Sequence, residues 1–211
     1  MKSRPIIMRA DEVCAIIDGR KTQFRRPVKW PVLSTCDGSK RRVYTEQDVV
    51  EMNKLLESRQ RHPSHQFCPH GQPGDRLWVR ETWADVRKMG FDKDLFPLGA
   101  GYRADCKSVA SLEIAKGYGV RWRPSVHMPR WASRITLEIV RVRVERVQEI
   151  SDQDAIHEGI ERSQGAWASY DKIMNRYMGA SNSFRSLWQS THGTWDANPW
   201  VWVVEFRRVE K

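Results

Sequence analysis

The sequence predicts an α+β fold, a small mixed β-barrel with flanking helices and long insertions. Three observations carry this expectation. Residues 134–147 alternate apolar and polar side chains over the longest stretch of the chain, as a half-buried strand does. Shorter runs around 5–8, 76–83 and 199–210 repeat the pattern. The segments between them are irregular, which fits a mixed barrel better than a βαβ sheet. At 211 residues the chain suits one domain spanning 1–211, with insertions at 34–70 and 84–120.

The elements follow in chain order. Pro5–Met8 reads as a short strand, followed by a helix from Ala10 or Asp11 whose apolar face is Val13, Ile16 and Ile17 and whose stop is Gly19. Arg20, Lys21 and Thr22 then emerge into a loop or strand, and Pro27 and Pro31 argue against a continued helix. Thr45–Ser58 suits a helix with Val49, Met52, Leu55 and Leu56 on one side. After the turn at Pro73, Gly74 and Asp75, Leu77 and Val79 point to one side of a strand while Trp78, Arg80 and Thr82 point to the other.

Residues 84–120 lack a regular pattern, and 121–134 form a loop rich in arginine and tryptophan. In the long strand that follows, the alternation slips at Val140, which predicts a bulge or twist. Ser151 is the expected N-cap of a short helix, with Asp154 completing a weak capping box. Residues 170–190 read as an amphipathic helix with Ile173, Met174, Tyr177, Phe184, Leu187 and Trp188 inward, interrupted at Gly179. A terminal strand enters after Pro199.

Composition narrows function more loosely. Lys plus Arg number 36 against 26 Asp plus Glu, a net charge of +10 that favours phosphate-bearing or other anionic partners. No apolar run is long enough for a membrane span and no leader pattern opens the chain, so a cytoplasmic location without a membrane partner is expected. Cys14, Cys36, Cys68 and Cys106 form no CxxC pair, which argues against a disulfide framework. Cys68 with His65, His70 and Cys36 offers only HxxC and CxH spacings, so no metal is expected. The glycine-rich phosphate loops GxGxxG and GxxxxGK[ST] are absent, and no cofactor is expected.

The segments GRKTQFRR, PGDRLWVRETW, SDQDAIHEGI and VWVVEF, in this order, resemble the ASCH domain family of the PUA-like superfamily, in particular its long phage and prophage members. The resemblance implies a small β-barrel with an open pocket for RNA, modified nucleosides or other nucleic-acid ligands. Some compact members deacylate N4-acetylcytidine with a lysine, a threonine and a glutamate. These carry over as Lys21 and Glu158, while the threonine position falls on Phe24 and leaves Thr22 as a substitute.

Each candidate residue has more than one chemistry open to it. Lys21 can neutralise phosphate, act as a base after desolvation, or form an ion pair, and Arg20, Arg25 and Arg26 supply charge around it. Glu158 can pair with Lys21, orient water, or accept from a base amine. Trp78 and Trp83 can stack on bases or fill the core, and Arg80 and Glu81 can read a ligand or form salt bridges. In WRPSVHMPRW, Arg123, Ser125, His127, Arg130 and Trp131 suit a groove that tracks a nucleic-acid backbone. Trp195 and Asn198 precede the final strand, where Asn198 suits base-edge reading or a turn.

Three functions remain open at this point. The first is binding of RNA, DNA or a modified nucleoside or nucleotide. The second is an amidohydrolase removing an N4-acyl group from modified cytidine. The third is a phage structural or host-interaction protein with a host protein as partner. The oligomeric state is left open.

Overall fold

The computed structural model describes residues 1–29, 46–57, 68–91, 94, 96–163, 165–170, 176–177 and 179–209. The proposed roles of Pro31, Cys36, His65, Ile173 and Met174 lie outside these residues, as do the side chains of Leu55, Leu56 and Tyr177.

The chain runs β1 (Ser3–Ile7), α1 (Ala10–Ile17), β2 (Gln23–Pro27), α2 (Glu46–Glu57), β3 (Arg76–Arg80), β4 (Trp83–Asp85), β5 (Ala100–Tyr102) and α3 (Val109–Gly117). It continues through β6 (Thr136–Arg146), α4 (Asp152–His157), β7 (Arg162–Ser163), β8 (Ala166–Ala168), β9 (Arg176–Tyr177), α5 (Ala180–His192) and β10 (Trp200–Val209). The main sheet has five strands in the order β1-β3-β6-β10-β2, with β1 parallel to β3 and the other pairs antiparallel. Two small sheets, β4-β5 and β7-β8-β9, accompany it.

The expected barrel does not form. The main sheet is open, with β1 and β2 as its two edges. Both edges carry a proline, Pro5 and Pro27, which has no N–H to give to a further ladder. Where the edges approach each other, a side chain bridges them: Arg26 Nη2 contacts the Ile7 carbonyl at 3.5 Å and Glu12 Oε1 at 3.2 Å. The fold is therefore an α+β mixed sheet with flanking helices.

Alternation along the strands divides the buried side chains between the two sheet faces. One face gathers Ile6, Phe24, Leu77, Val79, Leu137, Ile139 and Val204 against Val13 and Ile16 of α1 and Val49 and Met52 of α2. The other places Val201 and Val203 against Ala155, Phe184 and Trp188, so α4 and α5 cover that side of β10. Trp83, Tyr102, Met128 and Ala132 form a third cluster around the β4-β5 pair. Burying each large apolar side chain contributes about 1.5–3 kcal/mol before ordering costs.

Two local expectations hold and three others are corrected. Glu205 pairs with Arg141 and Phe206 with Ile139, leaving Val140 unpaired as the expected bulge. The Ser151 hydroxyl caps α4 by accepting from the Asp154 N–H at 3.1 Å. The Asp154 side chain does not close a capping box, because its carboxylate turns to Arg143 and Arg25. The helix expected over 170–190 begins only at Ala180, with Gly179 as its N-cap, and Arg176–Tyr177 form strand β9 instead. Residues 84–120, expected to be irregular, contain β5 and α3; Ser108 and Ser111 make a reciprocal cap at the start of α3.

Candidate binding pocket

α1 ends at Ile17 with Asp18 as its C-cap, and Gly19 beyond it adopts φ 74° and turns the chain back under the helix. The Lys21 N–H then donates to the Ala15 carbonyl at 3.0 Å, and Thr22 N–H donates to His157 O at 2.9 Å. Lys21 and Glu158 are thereby held as an antiparallel bridge. Gly159, at φ 84°, follows Glu158; a Cβ there would lie 2.8 Å from the Cβ atoms of both Ala15 and Lys21. Only glycine allows this close approach.

The result is a cavity of about 540 Å³ floored by charge and walled by aromatic rings. Lys21 Nζ donates to Glu158 Oε2 at 3.0 Å and to the Glu158 carbonyl at 2.9 Å, and lies 3.7 Å from Glu12 Oε1. Arg25, fully buried, donates to the other Glu158 oxygen at 2.9 Å, and its remaining N–H groups reach Glu145 and Asp154. Arg143 joins Glu145, Asp154 and Glu205 behind it. Phe184, Trp188 and Tyr170 line the wall, with Arg25 5.7 Å from the Phe184 ring centroid. Thr191, His192, Arg9 and Arg26 stand at the rim.

Electrostatics make this floor a set of matched ions. Burial would raise the Glu12 carboxyl, but Lys21, Arg26 and the Arg9 N–H outweigh it and hold the group at about 2. Burial opposes charge on Arg25 too, yet Glu158, Glu145 and Asp154 raise its pKa. His192 is lowered by burial and by the charges of Arg26 and Arg9, which favours a neutral ring. At the edge of the site, Arg20 pairs with Asp18 at 3.1 Å and donates to the Gly159 carbonyl at 2.7 Å. All four cations of the GRKTQFRR segment are thus already partnered.

Thr22 is exposed and does not line the cavity. Phe24, at the position where the resemblance calls for threonine, is completely buried in the core beside Phe206 and His70.

The remaining predicted residues lie elsewhere. Trp78 and Trp83 are buried, 8% and 2% exposed, so both fill the fold. Arg80 and Arg130 lie over the Trp78 ring, and Arg123 over Trp83. Glu81 is buried and receives two hydrogen bonds from Arg134, at 2.9 and 3.0 Å; desolvation still raises its pKa. Ser125 and His127 form a 3-10 turn, where His127 is exposed. Trp131 is 38% exposed and packs edge-on against Trp83. Trp195 packs on Phe184 behind the cavity wall. Asn198, at φ 44°, accepts from the Gln148 N–H at 3.1 Å and serves as the turn before β10.

Sequence reasoning joined Lys21 to Glu158 but missed Glu12, Arg9, Tyr170, Thr191 and Gly159 as pocket residues. Glu12 carried a local signal, a carboxylate three residues after the helix N-cap, where it accepts from the Arg9 N–H at 3.0 Å. Among the described residues, no group of three or more His, Cys, Asp or Glu is placed to hold a metal ion. None of the described helices is long and apolar enough to cross a membrane.

Comparison with protein families, curated proteins and solved structures finds no match. Together with the open sheet, this overturns the ASCH and PUA-like assignment suggested by the four short segments. Those segments mark local features that many folds share: a helix stop, a turn into a strand, a capped helix and a terminal strand.

Proposed function

We propose that the cavity binds a modified nucleobase, as a nucleoside or within RNA or DNA. The observation that carries this reading is the buried Lys21–Glu158 pair on the floor of an aromatic-walled cavity. Flat walls favour a planar ligand, since stacking of a base on an aromatic side chain contributes about 1–3 kcal/mol. The floor cations are matched by carboxylates, which favours an uncharged heterocycle over a phosphate. Lys21 offers a donor and Glu158 and Glu12 offer acceptors, a set suited to the amide-like edge of a base.

Titration calorimetry with a panel of N4-modified cytidines and other modified nucleosides tests the reading. Thr191→Trp fills the rim at an exposed position and should weaken binding at least tenfold while preserving the fold. Equal affinity in that variant places the ligand elsewhere, and no binding across the panel counts against the proposal.

A second reading, hydrolysis of an N4-acyl cytidine, is favoured by the same pair. Water would attack the acyl carbonyl with Glu158 taking its proton, and the Lys21 ammonium would stabilise the developing oxyanion. The C–N bond would then break with proton return to the exocyclic amine, releasing a carboxylic acid and cytidine. Mass analysis should show loss of the acyl group with the wild type and none with Lys21→Ala. Unchanged turnover in Lys21→Ala removes this mechanism.

A further inference from the structure

Outside the cavity, one surface concentrates arginine on tryptophan. Arg80 lies 4.7 Å and Arg130 5.5 Å from the Trp78 ring centroid, and Arg123 lies 5.3 Å from that of Trp83. Trp131 touches Trp83 edge-on at 5.5 Å and follows Arg130, whose guanidinium lies over Trp78, which brings the two groups together. Arg123 and Arg130 are exposed and Arg80 is half-buried.

These three arginines differ from the cations around the cavity. None of them forms an ion pair with a carboxylate among the described residues. Arg123 acts on Asp85 at longer range, but the close partner of Asp85 is Arg87, at 2.8 Å. Arg87 in turn lies 4.0 Å from the Trp131 ring centroid. The surface therefore carries unmatched positive charge beside a partly exposed indole.

The surface also adjoins the cavity. Ile7, which lines the cavity, is the register partner of Arg80 in the parallel β1–β3 pair. Register partners on neighbouring strands lie about 5 Å apart and project to the same face. A chain crossing Arg80 reaches the cavity rim within one nucleotide's length.

We propose that Arg80, Arg123, Arg130 and Trp131 form a binding track for single-stranded nucleic acid. Phosphates would take the place of the missing carboxylates, and unpaired bases would stack on Trp131 and the guanidinium planes. A duplex keeps its bases inside the helix and cannot use those planar groups. The track stands apart from the cavity proposal, because it uses neither Lys21 nor Glu158.

Fluorescence anisotropy with a labelled oligouridine across a salt series tests the track. Neutralising three phosphate contacts should reduce the slope of log affinity against log salt by about 2. The triple variant Arg80→Gln/Arg123→Gln/Arg130→Gln should show that loss. A control of equal charge, Lys54→Gln/Lys116→Gln/Arg185→Gln at exposed positions elsewhere, should retain the wild-type slope. Trp131→Ala should weaken the oligonucleotide by about fivefold or more. Should the triple variant fail to fold, Arg123→Gln/Arg130→Gln, both at exposed positions, should lower the slope by about 1.4.

Equal losses in the two triple variants would reduce the effect to net charge and overturn the track. A duplex of the same sequence binding as tightly, or an acidic peptide binding where the oligonucleotide does not, would overturn it too. Failure of nucleoside binding alongside an intact salt slope would sink the cavity proposal and leave the track standing.

Discussion

At the scale of single residues, the site is governed by which ions find partners. Glu12 is held at about 2 against an ordinary value of 4.5, so its stabilising contribution is complete above about 4.5 and is lost as pH falls through about 2. His70, half-buried against Phe24, is lowered from 6.5 to about 4 by burial and by Arg26 and Arg4. Its neutral ring is the folded form, so that contribution is complete above about 6.5 and fades as pH falls to about 4. Urea midpoints should therefore drop in two stages on acidification. His70→Gln should flatten the stage between pH 6.5 and 4, and Glu12→Gln the stage below 4.5. Unchanged slopes in both variants would show that neither group carries the acid sensitivity. The Lys21–Glu158 pairing was legible in the sequence only through the motifs that contain them; Glu12 was not, because the helix was read by its apolar face alone.

At the scale of elements, the meeting of α1 with the end of α4 builds the cavity floor. Gly159 makes that meeting possible, since a side chain there would strike Ala15 and Lys21 and its φ of 84° already disfavours other residues. Gly159→Ala should lower stability by about 1–3 kcal/mol and weaken ligand binding together, read by denaturant melts and calorimetry. Wild-type stability in that variant would mean the two elements separate freely. Element positions were largely readable from periodicity: the β6 alternation, the Val140 slip and the Ser151 cap all rest on local patterns. Helix α3 was not, because none of its residues is buried and its sequence has no apolar stripe facing a core. Phe184 and Trp188 in the cavity wall read only as core, since a ring lining a cavity and a ring packed inside have the same spacing, and Tyr170 carries no signal of its own.

At the scale of the whole molecule, the long strands of the main sheet were foreseeable, while their closure and the short strands β5 and β7–β9 were not. Closure depends on whether β1 meets β2, two strands separated by a helix, and the prolines in both edges leave that junction to the Arg26 side chain. Net charge was equally incomplete as a guide. The cations that stand out in sequence, Arg20, Lys21, Arg25 and Arg26, are matched by acids, whereas Arg80, Arg123 and Arg130 rest on aromatic rings without carboxylate partners among the described residues. The molecule thus separates an internally balanced cavity from an unbalanced surface beside it. The most direct measurement of the central claim is equilibrium dialysis of a total nucleoside digest against the protein, with bound species identified by mass. Selective retention of a modified nucleoside by the wild type, lost in Thr191→Trp, is the predicted result; a bound fraction with the composition of the digest, or equal retention by both proteins, would contradict it.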